Sequence, residues 1–290
     1  MKKILSLFIL LCMLSLPGCS ANNEAAKVVA TTRPVYDFTA YLCRNTDISV
    51  DLLVSENLSC LHDYTLQVRQ MRAIESAEVI VLSGAGLEDF LVDLLTSERI
   101  MIDSSAGISL LCGEHDHSHD DGHHHEQDPH IWLSIQNAKI MAENIYSGLC
   151  KQFPQYLGVL TQNFESLVSE LETLDAYGKQ KLSTLKSRDL ITFHDGFSYF
   201  ADYWNLNIMH SLEEESGSEA SAFELKELIQ IVENNNVPAV FTEINGSVSA
   251  AQIIAAETNI LVYSLDMGMS DAGYFEAMYH NIDTIKEALG

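Results

Sequence analysis

Two hundred and ninety residues, 47% apolar and 20% charged, describe a folded chain and exclude low-complexity disorder as its main state. At roughly 150 residues per domain, two domains fit better than one. Sixteen Lys and Arg against 41 Asp and Glu leave a formal charge of −25, a field that repels nucleic acid and anionic membrane surfaces and attracts cations.

Residues 1–18 read as a signal peptide. Lys2 and Lys3 precede an apolar run from Ile4 to Leu16, which is too short to span a hydrocarbon core of about 30 Å. Leu16-Pro17-Gly18-Cys19 has the form of a bacterial lipobox, so Cys19 is expected to be diacylated and to become the first mature residue. Residues 19–26 would be a lipidated tether holding the protein at the outer face of the cytoplasmic membrane. From there the chain alternates between two periodicities. Strands are expected at Lys27–Thr31, Asp47–Val54, Val79–Leu82 and Ile100–Asp103. Helices are expected at Pro34–Leu42, Thr65–Ala77, Leu87–Leu95 and Gln136–Cys150.

Leu157, Leu160, Phe164, Leu167, Leu171 and Leu174 then recur at steps of three and four, behind a Pro154 that suits a helix start. A helix over 154–186, about 30 residues and about 45 Å long, would run the length of the molecule. Gly178 and the single apolar stripe argue against a coiled-coil seam, so a monomer is expected. The second half repeats the rhythm of the first. Strands are expected at Leu190–Phe193, Asn207–Leu212, Ala239–Thr242 and Ile260–Tyr263. Helices are expected at Phe197–Trp204, Ala222–Asn235, Val248–Glu257 and Tyr274–Leu289. Repeated βα units imply parallel sheets covered by helices. The expected fold is therefore α/β: an N-terminal lobe (27–153) and a C-terminal lobe (187–290) joined by the long backbone helix (154–186).

Chemistry concentrates in a few places. Residues 113–128 form a His/Asp/Glu-rich loop, in which His115, His117, His119, His123, His124 and His125 stand among the five carboxylates of residues 114–126. That composition cannot build a core and suits metal ions. Outside it, His62 follows the second strand and His130 follows the loop. His194 follows the strand at Leu190–Phe193, and Asp266 follows that at Ile260–Tyr263. Ligands of open α/β sheets bind beyond the carboxyl ends of strands, so these four, two from each half, are expected to meet between the lobes. Three imidazoles and a carboxylate make a tetrahedral set suited to Zn(II). Affinity would fall below about pH 6.5 as imidazoles charge. His210 and His280 lack such placement and read as structural. Gly84-Ala85-Gly86 lacks the third glycine of a dinucleotide loop, and no catalytic nucleophile or base is nominated, so no enzyme is expected.

These stretches resemble the zinc-binding solute-binding lipoproteins of bacterial ABC transporters, the ZnuA-like group. The likeness runs through Val29-Ala30-Thr31-Thr32-Arg33-Pro34-Val35-Tyr36-Asp37-Phe38, Leu61-His62-Asp63-Tyr64 and Ser83-Gly84-Ala85-Gly86-Leu87-Glu88. It continues through Asp128-Pro129-His130-Ile131-Trp132-Leu133, His194-Asp195-Gly196-Phe197 and Phe241-Thr242-Glu243. The resemblance implies two α/β lobes on a backbone helix, a metal in the cleft, and delivery of Zn(II) to a membrane permease. The family's ligands carry onto His62, His130 and His194, and its variable fourth ligand onto Asp266. Glu243 would stand behind the ligands and orient an imidazole. Manganese or another divalent metal, or a surface adhesin with a structural metal, remain as alternatives. The chain departs from its relatives at Cys60-Leu61, Thr65-Leu66, Ile244 and Met267. Cys60 and Cys112 flank the two site loops and are expected either to pair as a disulfide or, for Cys60, to supply a thiolate. Cys43 and Cys150 read as core residues.

Overall fold

A computed structural model describes residues 28–55, 61, 64–91, 99–111, 127–212 and 221–290. The signal peptide, Cys19, Cys60, His62, Cys112 and the six loop histidines lie outside the described residues. No described helix is long and apolar enough to cross a membrane.

The N-terminal sheet holds β1 (Val28–Ala30), β2 (Val50–Leu52), β3 (Val79–Leu82) and β4 (Ile100–Asp103) in the order β2-β1-β3-β4, all parallel. The central strands, Val-Val-Ala and Val-Ile-Val-Leu, are apolar throughout because helices cover both faces. Helices α1 (Arg33–Leu42) and α2 (Val68–Ser76) connect the first strands. β2 is shorter than its sequence suggests: as an edge strand it pairs on one side only, although Leu53 N and Val54 N still donate to Ala30 O and Thr31 O. Where a helix was expected at Leu87–Leu95, the described part is a 3₁₀ turn at Asp89–Leu91. Gly84, Ala85 and Gly86 all have positive φ there, which no helix tolerates.

Helix α3 (Ile135–Gln152) begins at Ser134, whose side chain accepts from Asn137 N. A 3₁₀ turn over Pro154–Tyr156 then leads into α4 (Leu157–Leu182), 26 residues and about 39 Å of rod. The expected helix loses its first turn to this 3₁₀ geometry. It loses its last residues because Lys186 N and Ser187 N are captured by Leu289 O. The first half of α4 binds the N-terminal lobe: Asn163 Nδ2 donates to Leu42 O and Arg44 O, and Glu170 accepts from Tyr41 Oη. The second half binds the C-terminal lobe, where Asp175 accepts from Tyr203 Oη. A Cβ at Gly178 would run into the Trp204 ring, which is why this position stays bare.

The C-terminal sheet holds β5 (Asp189–Thr192), β6 (Asn207–Ser211), β7 (Ala239–Glu243) and β8 (Leu261–Leu265), ordered β6-β5-β7-β8 and again parallel. Its helices are α5 (Ser198–Trp204), α6 (Ala222–Asn235), α7 (Ser249–Thr258) and α8 (Tyr274–Leu289). Asn205, Asn236 and Asn259 adopt the left-handed conformation that ends α5, α6 and α7. One apolar core passes through both lobes by way of Phe38, Trp132, Phe200 and Tyr274. A smaller core, around Ile191, Leu228 and Ile254, lies under α6 and α7.

Candidate metal centre

His130 lies on the connection that leaves the carboxyl end of β4, where it opens a 3₁₀ turn over Ile131–Leu133. It is buried, and its Nδ1 lies 2.8 Å from Asp128 Oδ1. The same oxygen accepts the His130 backbone N–H at 2.9 Å. A buried carboxylate on Nδ1 favours the proton there, which leaves Nε2 as the acceptor nitrogen of the ring. Asp128 Oδ2 is buried without a hydrogen-bond partner among the described residues. The C-terminal lobe holds this loop from the other side. Tyr199 Oη donates to Asp128 O at 3.0 Å, Tyr274 Oη donates to Trp132 O at 3.0 Å, and Trp132 Nε1 donates to Met267 O at 2.7 Å.

His194 follows β5 in extended backbone, ahead of a 3₁₀ turn at Asp195–Phe197. Its ring stands edge-on to that of His130, with centroids 5.3 Å apart, so imidazoles from the two lobes meet across the seam. A Cβ at Gly196 would lie 2.5 Å from Met267 Cε and 2.9 Å from His194 Nε2, so only glycine leaves the ring its place. Glu243 ends β7, one residue longer than the expected strand, and its buried Oε1 faces His194 Nε2 at 3.8 Å. That is beyond hydrogen-bond range and within reach of a shared cation.

Asp266 follows β8 directly and is buried. Its Oδ1 accepts from Gly268 N at 2.8 Å and its Oδ2 from Ser270 Oγ at 2.6 Å. Asn281 of α8 locks the backbone, accepting from Asp266 N and donating to Asp266 O, both at 2.7 Å. Each carboxylate oxygen keeps further acceptor capacity.

Thus the structure brings His130, His194 and Glu243 together in pairs. Among the described residues, no three His, Cys, Asp or Glu side chains form a group close enough to hold an ion. His62, which the sequence adds to the set, lies outside the described residues. His280 serves the fold, its Nε2 lying 2.9 Å from Ser264 O. Cys43 and Cys150 are free; burial pushes the Cys43 thiol up to about 12. Sequence reasoning missed Asp128 as the partner of His130, although the two-residue spacing was visible. It also missed Tyr199 and Asn281, whose contacts depend on distant parts of the chain.

A paired set of imidazoles and carboxylates at the seam of two parallel-sheet lobes can be set against known proteins. The profile of the ZnuA family, described as zinc-uptake complex component A, periplasmic, matches residues 28–288. The chain belongs to this family. It is 30% identical over 308 residues to the zinc-binding lipoprotein AdcA of Streptococcus pneumoniae, an alignment covering 99% of this chain and 61% of that protein. The chain therefore spans about three fifths of that relative's length. A putative metal-binding protein of Treponema pallidum is 28% identical over 291 residues, covering 96% of this chain and 91% of its own. A crystal structure of ZnuA superposes with a TM-score of 0.81 at 30% identity, covering 92% of this chain and all of that one. The two-lobed fold is shared with these ZnuA-family proteins.

Proposed function

We propose that this protein captures Zn(II) outside the cytoplasm and hands it to the permease of an ABC transporter, acting as a receptor and not as an enzyme. His62, His130, His194 and Asp266 would hold the ion, with Glu243 beside His194. The observation that carries the reading is the meeting of His130 and His194 from opposite lobes, with Asp128 reserving Nε2 of His130 for a metal. Membership of the ZnuA family and the name of the AdcA relative support zinc as the cargo.

The remaining assignments follow from the sequence. Cys19 would carry the lipid that keeps a monomeric receptor at the membrane. The imidazoles of 113–128 would gather further, weaker ions near the cleft. Cys60 and Cys112 would pair to tie the two site loops. The oxygen donors Glu243 and Asp266 favour one second reading, manganese as cargo. Metal analysis of untagged protein, followed by competition at equal free Zn(II) and Mn(II), separates the two. Zinc retained at one ion per chain is expected, and manganese outcompeting zinc would overturn the assignment.

A further inference from the structure

The loop of Asp266, like that of His130, is gripped by the opposite lobe. Arg33 opens α1 in the N-terminal lobe, and its side chain crosses the seam. Arg33 Nε donates to Ser270 O at 3.1 Å, and Nη2 lies 3.1 Å from Asp271 Oδ1. Ser270 Oγ in turn donates to Asp266 Oδ2 at 2.6 Å. One turn further along α1, Asp37 Oδ2 accepts from Tyr274 N at 2.8 Å, so the first two turns of α1 hold the segment after Asp266 at two points. The two bonds of Arg33 differ in weight. The Arg33 side chain is 17% exposed and that of Asp271 is 81% exposed. A surface ion pair contributes little, whereas a part-buried, charge-assisted bond to a backbone carbonyl contributes more.

Resting on the reading of Asp266 as a ligand, we propose that Arg33 is a positioning residue for the metal site. It fixes Ser270 from across the seam, and through Ser270 it fixes the Asp266 carboxylate. Closure of the seam and presentation of the fourth ligand then become one event. Any partner that parts the lobes pulls Arg33 off Ser270, frees the Asp266 loop and promotes release of the ion.

The test measures the Zn(II) dissociation rate against a chelator in excess, together with the melting temperature of the metal-free protein. The variants are R33A, R33K, R33Q, D271A, D266A and R33A/D266A. R33A is expected to speed dissociation by about tenfold or more, as loss of an outer partner of a ligand does. R33K, which keeps the charge without the planar fork, restores only part. D271A stays within about twofold of the parent. R33A adds nothing once Asp266 is gone. R33Q replaces R33A in the cycle should R33A fail to fold. An Arg33 effect of equal size in both backgrounds, or one confined to the melting temperature, overturns the Arg33 link alone. D266A dissociating like the parent removes Asp266 from the ligand set, and the Arg33 link with it.

Discussion

The two lobes present their site residues by different means. In the C-terminal lobe, His194, Glu243 and Asp266 stand at the ends of β5, β7 and β8, which are neighbours in one sheet. The ladder itself sets their spacing. In the N-terminal lobe, His130 lies far along the connection after β4, and a dedicated carboxylate, Asp128, aims it. The same lobe uses a second buried carboxylate, Glu88. It accepts from Thr31 Oγ1, Ser83 N and Gly84 N and so knits the ends of β1 and β3 together. A strand end fixes the backbone from which a side chain starts, whereas a long connection leaves even that to local partners such as Asp128.

That contrast can be broken experimentally. Replacing either His130 or His194 with Ala should remove the tight site, seen as loss of stoichiometric Zn(II) uptake in calorimetry. Asp128→Asn should cost about 10–100-fold in affinity while leaving the fold intact. A D128N protein binding zinc like the parent would mean that His130 needs no aiming, and the contrast between lobes would vanish.

Glu88 sharpens the comparison through pH. Burial, partly offset by its hydrogen bonds, pushes its carboxyl from 4.5 up to about 7. A group with a raised folded pKa contributes its stability below the unfolded value and loses it as pH rises through the folded one. Between pH 4.5 and 7, metal-free parent should therefore lose about 3 kcal/mol relative to Glu88→Gln. The cost of placing an amide against the Gly84 N–H is constant with pH and only offsets the curves. Urea midpoints across that range check this, and parallel curves would contradict it. In the C-terminal lobe, Gly196→Ala should force the His194 ring or Met267 aside, a loss of about 1–3 kcal/mol typical of overpacking. Weakened zinc binding should accompany it; an unchanged melting temperature and affinity would show that the site has slack.

Much of this was legible in the sequence because it is local. The apolar runs of β1 and β3 and the stripe from Leu157 to Leu174 announce elements buried along a face, and His194 and Asp266 come just after such strand runs. Hence His194 and Asp266 could be placed from order alone. The pattern failed where geometry overrides periodicity. Leu87 to Leu91 carries a helical rhythm, yet three left-handed residues precede it and Glu88 is drawn inward to the strand ends. β2 reads long because edge residues keep the alternation after full pairing has stopped. Tyr199 and Arg33 could not be assigned partners from sequence, because their roles exist only once the lobes are apposed, and Asn281 meets Asp266 only once the last helix packs on β8; the Asp128 pairing was open to reading in its two-residue spacing.

The most direct test is anomalous diffraction at the zinc edge from crystals of the loaded, untagged protein. One strong peak is expected at the seam, about 2.0–2.2 Å from Nε2 of His130 and from ligand atoms of His62, His194 and Asp266. Zinc found only among the imidazoles of residues 115–125, with none between His130 and His194, would contradict the account.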